Sequence, residues 1–209
     1  VSSIHWDIDT QIDFIHAAGR LAVPGAEAIL PNLQRLTAHA HATGTRIVAT
    51  ADDHDLGHVE ISDAPDWTST FPPHCMRGTR GQEKVPETAL RAAFVVHSVP
   101  WDAAALTTAM QAADGDILIN KPGTDVFRWN PNAAVVLHAL APTRIIAYGV
   151  ATDICVLAAV NGLRRLRPEA EVVVVTDAIA ALDPARGEAL VREWAATGCT
   201  LATTAQLTG

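Results

Sequence analysis

Short apolar runs alternate along this chain with amphipathic stretches, and the two have different periods. Runs at 4–8, 46–50, 94–97, 117–120, 144–149 and 172–176 are short, largely apolar and β-branched, which predicts strands. Val172 to Val175 is an unbroken valine run, the pattern of a strand buried on both faces. Between the runs, apolar residues at helical spacing predict helices over 26–42, 102–113, 131–140, 153–166 and 184–196. The first two stop at Thr43-Gly44 and Asp114-Gly115, where glycine is a natural C-terminal residue. Strands alternating with helices predict an α/β fold, a three-layer α/β/α sandwich around an open, mainly parallel six-stranded sheet.

Only the stretch 51–85 breaks this rhythm: it is long, weakly periodic and rich in Pro, Gly, Asp and His. A loop of that length in a compact domain is usually functional. With 209 residues and 49% hydrophobic side chains, one sizeable core can be buried, so a single domain over 1–209 is expected. Acidic residues outnumber basic ones by 23 to 15 with no Lys/Arg run, which argues against nucleic acid or an anionic membrane as partner and points to small molecules. The three cysteines, Cys75, Cys155 and Cys199, are odd in number and widely spaced, as expected of reduced thiols in a cytoplasmic protein. The chain shows neither a basic leader nor a long apolar span, so a soluble protein is expected.

In open α/β sheets, ligands bind beyond the carboxyl ends of the strands. Asp9 closes the first run, Asp52 and His54 follow the second, Lys121 follows the fourth and Cys155 comes after the fifth. Taken singly, each has an ordinary role: an Asp there forms turns, a Lys is solvated, and a lone Cys is buried and inert. Together they supply a nucleophile, a base to take its proton and a cation. A thiol in the first turn of a helix also feels the positive end of the helix dipole, which favours the thiolate.

A second constellation is Asp52, His54, His58 and His74. Neutral imidazoles with one carboxylate suit a divalent zinc, iron or manganese ion. Asp52 and His54, at i and i+2, share one side of an extended segment, whereas His58 and His74 reach them only through loop geometry. The ordinary alternative for His58 is a surface loop histidine.

The segments Asp9-Thr10-Gln11-Ile12-Asp13-Phe14, Leu21-Ala22-Val23-Pro24-Gly25, Phe71-Pro72-Pro73-His74-Cys75, Lys121 and Gly149-Val150-Ala151-Thr152-Asp153-Ile154-Cys155 resemble, in order, the isochorismatase-like cysteine hydrolases, and within them the nicotinamidases, also called pyrazinamidases. The resemblance spans nearly the whole chain. It implies Cys155 as nucleophile, Asp9 as general base and Lys121 as third member of the triad. It further implies a cis peptide between Val150 and Ala151, with the N–H groups of Ala151 and Cys155 forming an oxyanion hole. The reaction implied is hydrolysis of nicotinamide or a similar small aromatic amide to the acid and ammonia through a thioester, with the metal holding the substrate ring. Members are often oligomers, which implies a homo-oligomer.

Several residues depart from that pattern. The stretch from His54 to His58 is shorter than in the nicotinamidases, Phe71 stands where Trp is frequent, and Ile154 stands where His or Tyr is common. Phe14 and Phe71 can sandwich a flat ring, with Trp129 a further pocket candidate, although packing alone also explains aromatic residues there. Asp53 and Asp55 add charge near the metal set. Asp13 reads as structural, Cys199 as a core thiol ahead of a final strand, and His5, His16, His39, His41, His97 and His138 as surface or locally satisfied groups. Two other readings stay open: a metal-independent ureido or carbamoyl amide hydrolase of the same superfamily, and a catalytically silent metal- or ligand-binding member.

Overall fold

A parallel sheet runs through the centre of the computed structural model, which describes residues 2–209; Val1, the first residue of the expected domain, lies outside the described residues. Its strands are β1 (Ser3–Ile8), β2 (Arg46–Asp52), β3 (Phe94–Val96), β4 (Ile117–Lys121), β5 (Arg144–Val150), β6 (Glu171–Ala180) and β7 (Thr200–Ala202). They lie in the order β3-β4-β2-β1-β5-β6-β7, with every pairing parallel, so all carboxyl ends share one edge. The connection from β4 to β5 carries the chain across β2 and β1 to the other half of the sheet. Such a reversal opens a crevice beyond the strand ends.

The helices are α1 (Ile12–Ile15), α2 (Leu30–Thr43), α3 (Ala103–Ala112), α4 (Val126–Trp129), α5 (Ala133–Leu140), α6 (Leu157–Leu166), α7 (Pro184–Ala196) and α8 (Thr204–Thr208). Side chains alternate across a strand, and the continuous apolar runs therefore feed two cores. Trp6, Ile119, Ile145 and Val174 pack with Leu106 of α3, Val136 of α5 and Val160 of α6 on one face. Tyr148, Val173 and Val175 pack with Phe14 of α1 and with Leu33 and Leu36 of α2 on the other. Each fully buried side chain of this kind contributes roughly 1.5–3 kcal/mol. The three-layer architecture expected from the alternation is present.

The sheet has seven strands where six were expected: the seventh is the edge strand β7, which directly follows Cys199, where a final strand was expected but not counted in the sheet. The helix expected over 26–42 divides into a 3-10 turn, Ala26–Ile29, and α2, whose second residue Pro31 has no N–H to continue the preceding turn. The helix expected over 153–166 divides into a π turn, Thr152–Val156, and α6. There the Val156 N–H reaches the Ala151 carbonyl at 3.0 Å. Gly149, just before this turn, has φ +123°, and a Cβ on it would lie 2.0 Å from the Ile8 carbonyl oxygen. Only glycine allows β1 and β5 to approach so closely at their carboxyl ends.

Candidate active site

Four neighbouring strands, β4, β2, β1 and β5, deliver the chemistry-bearing residues to the same edge. Asp9 leaves β1 with a left-handed φ of +51°, which Asp tolerates better than most residues. Its N–H donates to the Thr50 carbonyl, and its Oδ1 accepts from the Thr50 hydroxyl at 2.6 Å. Lys121, the last residue of β4, is buried, with Nζ 2.9 Å from Asp9 Oδ2, in direct contact with Asp52 Oδ1 and 3.8 Å from Cys155 Sγ. One ammonium therefore joins two carboxylates to the thiol. Asp9, Asp52 and Cys155 each present an atom within 4.8 Å of the others.

Cys155 sits in the π turn after β5, and that turn is tied down by Asp153, whose carboxylate accepts from the N–H groups of Leu182 and Asp183. The peptide between Val150 and Ala151 is cis. Burial, followed by the nearby carboxylates, pushes the Cys155 thiol well above its ordinary pKa despite Lys121. This direction opposes the pull toward the thiolate expected of a thiol in the first turn of a helix. Burial raises the Asp9 carboxyl against the pull of Lys121, with Asp52 adding to the rise. Burial would also raise Asp52, but Lys121 and the hydrogen bonds of His54 and His74 hold it well below the usual range. For Lys121, burial is outweighed by Asp52 and Asp9, which keep the ammonium charged.

Asp52 faces two ways. Its Oδ2 lies 3.5 Å from both His54 Nε2 and His74 Nε2, and these three residues present atoms within 4.8 Å of one another. Tetrahedral coordination with bonds of about 2.1 Å places neighbouring donors roughly 3.4 Å apart, so the trio fits a divalent ion. Two further observations agree. His54 Nε2 is buried without a hydrogen-bond partner, and His74 Nδ1 donates to the Pro72 carbonyl at 2.7 Å, leaving its Nε2 free to ligate. The loop holds His54 beside His74 through backbone bonds from His54 N–H to Cys75 O and from Arg77 N–H to His54 O.

His58 stands apart from this trio. Its Nδ1 lies 3.4 Å from His54 Nδ1, on the ring edge away from Asp52, and its Nε2 is 3.3 Å from Asp55. A narrow pocket opens between the trio and Cys155, lined by Phe14, Phe71, Ile154, Ala151, Thr124 and Glu60 among others. Phe14 and Phe71 both face His74, with ring centroids 5.2 and 6.2 Å from the imidazole. Trp129 lines an adjoining outer cavity, which shares Glu60, Phe71 and Thr124 with the inner one. Asp13 is structural, as expected: its carboxylate accepts from the Cys75 and Arg20 N–H groups and anchors the loop.

Three residues of the site escaped the sequence. Gln11 clamps Asp52 by accepting from its N–H at 2.7 Å and donating to its carbonyl at 2.9 Å. Thr50 orients Asp9. Glu60 is buried, and its Oε2 has no hydrogen-bond partner; burial, then the nearby Asp52 charge, raises its carboxyl to about 7. A spacing of Gln two residues after Asp9 carried a weak signal for the first, whereas Glu60 lies in an aperiodic loop that carried none.

The fold and this cluster define a parallel three-layer α/β protein with a thiol, two carboxylates and an ammonium buried at the carboxyl edge of its sheet. The chain belongs to the isochorismatase family, whose domain matches residues 7–206. It is 31% identical over 152 residues to the nicotinamidase/pyrazinamidase of Mycobacterium tuberculosis, covering 71% of this chain and 72% of that one. It is 26% identical over 149 residues to the ureidoacrylate amidohydrolase RutB of Agrobacterium fabrum, covering 70% of this chain and 60% of that one. In structure it matches the pyrazinamidase of Pyrococcus horikoshii in complex with zinc, with a TM-score of 0.73 at 23% identity over 97% of this chain and 99% of that one.

Proposed function

We propose that this protein is a cysteine amidohydrolase that converts nicotinamide or a similar small aromatic amide to the carboxylic acid and ammonia. The observation that carries this reading is Lys121 Nζ, placed 2.9 Å from Asp9 Oδ2 and 3.8 Å from the Sγ of Cys155, which itself lines the pocket. Asp9 Oδ2 is buried against the Lys121 ammonium, and in this reading it takes the proton of the neighbouring thiol. Its raised pKa brings it closer to the thiol it deprotonates, which lowers the cost of that transfer.

In the proposed sequence Asp9 takes the Cys155 proton as Sγ attacks the amide carbonyl carbon. The C–N bond then breaks while Asp9 returns the proton to the leaving nitrogen, giving ammonia and a thioester. Water attacks the thioester, Asp9 accepts its proton, and that proton passes to Sγ as the C–S bond breaks. Lys121 stays protonated throughout and offsets the charge that moves between Asp9 and Sγ. The N–H groups of Ala151 and Cys155 are the oxyanion donors in this reading, and one such donor is typically worth about 3–4 kcal/mol.

Asp52, His54 and His74 are the residues that would hold a divalent ion, which when bound supplies a positive charge that positions an electron-rich substrate atom. Phe14 and Phe71 flank the space in front of His74, so a flat ring between them presents its amide to Cys155. The M. tuberculosis relative supports the aromatic amide. The A. fabrum relative favours a second reading, in which a ureido amide is cleaved by the same triad.

Steady-state kcat/KM for nicotinamide, a ureido acid and aliphatic amides separates the two. Nicotinamide is expected to be preferred. Turnover confined to ureido substrates would move the protein to the second reading, and absence of turnover across the panel would remove both.

A further inference from the structure

The narrow pocket beside Cys155 continues outward into a roomier cavity that the proposed chemistry leaves unused, and the two spaces share Glu60, Phe71 and Thr124. The walls of the outer space are held from both sides. On one side stand Arg128 and Trp129, near the end of α4, a single turn capped by the Asp125 carboxylate, which accepts from the Phe127 N–H at 2.9 Å. Phe127 stacks on the buried Trp6 with ring centroids 5.7 Å apart, which fastens this turn to the core. Trp129 lies so close to the segment after Lys121 that a Cβ on Gly123 would be 2.5 Å from its Nε1. On the other side is the Thr68-Ser69 rim, shaped by Asp66. The Asp66 carboxylate accepts from the N–H groups of Thr68, Ser69 and Thr70 at 2.9, 2.8 and 2.8 Å and from the Ser69 hydroxyl at 2.7 Å.

Arg128 is the one Lys or Arg side chain among the described residues that lines either space. Its guanidinium lies over the Trp129 ring, 5.4 Å from the centroid, and has no carboxylate at ion-pair distance among the described residues. Held over an indole, a guanidinium keeps its fork of N–H donors available for an oxyanion. The surroundings disfavour an anion elsewhere. The chain carries a formal charge of -8, Asp52 and Glu60 line the inner pocket, and Lys121 is committed to Asp9 and Asp52. A carboxylate carried by a substrate therefore finds its favourable place beside Arg128.

We propose that the outer cavity is a second subsite, which takes a carboxylate borne on the end of the substrate remote from its amide, and that Arg128 selects for it. The inference rests on the amidohydrolase reading of Cys155. The amide lies at Sγ in the narrow pocket, the body of the substrate passes Phe71 and Thr124, and the acidic end meets the guanidinium with Trp129 as its apolar wall. The substrate class becomes an aromatic amide extended by a short acidic arm. Arg128 touches no reacting atom in this arrangement and acts on specificity alone.

The test uses the full chain as wild type, Arg128→Gln and Arg128→Glu. The probes are nicotinamides carrying a carboxylate on a one-, two- or three-carbon arm, the methyl ester of each, and the matching arms that end in an amine. In wild type, kcat/KM for the acid should exceed that for its ester by about 10-fold with at least one arm, the size expected of a charge-assisted hydrogen bond. The preference should shrink at high salt, vanish in Arg128→Gln, and turn towards the amine arm in Arg128→Glu. Equal kcat/KM for acid and ester with every arm in wild type, or a preference for the acid that survives in Arg128→Glu, would each overturn the assignment. Calorimetric titration of the same acid and ester pairs into Cys155→Ala separates this inference from the reading beneath it. Tighter binding of the acid without turnover in wild type would keep the subsite and remove the amidohydrolase, whereas turnover with equal binding and equal kcat/KM would remove the subsite and keep the amidohydrolase.

Discussion

At the scale of single residues, Lys121 holds the site together. Its ammonium sits against two buried carboxylates, Asp9 and Asp52, in a place where any one of the three charges alone would be unaffordable. Replacing it by methionine leaves those carboxylates uncompensated, and the expected result is a loss of about 3–5 kcal/mol in urea unfolding together with loss of ammonia release. If Lys121→Met unfolds at the wild-type urea midpoint, the charges are compensated by something other than Lys121. A second residue-scale prediction concerns His5, buried in β1 and hydrogen-bonded to Tyr148. Burial, then His39 and His41, lowers its pKa from 6.5 to about 4. Unfolded chains bind this proton near 6.5 and the folded protein only near 4. The neutral imidazole therefore contributes stability that is present above about pH 6.5 and is lost as the pH falls through about 4, by about 3 kcal/mol in all. His5→Gln should lose less stability than wild type between pH 7 and pH 4, and parallel losses in the two proteins would refute the assignment. Asp9, Lys121 and Cys155 could be placed at one edge from the sequence because Asp9 directly follows β1, Lys121 ends β4 and Cys155 lies in the turn after β5, and a parallel sheet brings all three ends together. Glu60 was not legible, since a loop residue gains its neighbours from chain path and not from period, and the position of His58 apart from the trio could not be read for the same reason.

At the scale of elements, the geometry of Cys155 is set by the join between β5 and the π turn. Gly149 lets β5 pass the Ile8 carbonyl, and Asp153 fastens the turn to the segment ahead of α7. Gly149→Ala introduces a Cβ that cannot fit beside the backbone at a φ of +123°, so a destabilisation of about 2 kcal/mol or more is expected in thermal melts. Asp153→Ala removes two hydrogen bonds to a charged acceptor, each worth roughly 1.5–3 kcal/mol. It should lower kcat more than it raises KM if the turn aims Sγ, whereas unchanged kcat at reduced stability would make the clamp structural only. The apolar, β-branched runs of β1 to β6 and the helical spacing of α2 and α7 made those elements readable, while α1, α4 and α8 have five residues or fewer, too short for a helical period. The π turn was read as plain helix because its apolar spacing continues into α6 without a break.

At the scale of the whole molecule, one edge of the sheet holds two groups: β1, β4 and β5 bring Asp9, Lys121 and Cys155, the proposed triad, and β2 brings Asp52, which touches both Lys121 and the histidines. The proposed triad and the candidate metal site therefore meet at the contact between Lys121 and Asp52. Among the described residues no helix is long and apolar enough to cross a membrane. If an ion binds only the folded protein, zinc at about 100 times its dissociation constant should stabilise the chelator-stripped chain by about 2.7 kcal/mol, and a melting temperature that does not move with zinc would remove the metal site from the account. The central claim is that Cys155 carries the acyl group. The most direct measurement is intact-protein mass spectrometry after rapid acid quench of wild type and Cys155→Ala turning over nicotinamide. The account predicts an acyl adduct on Cys155 in wild type, and neither adduct nor ammonia above background in the variant; ammonia release by Cys155→Ala at the wild-type rate would contradict it.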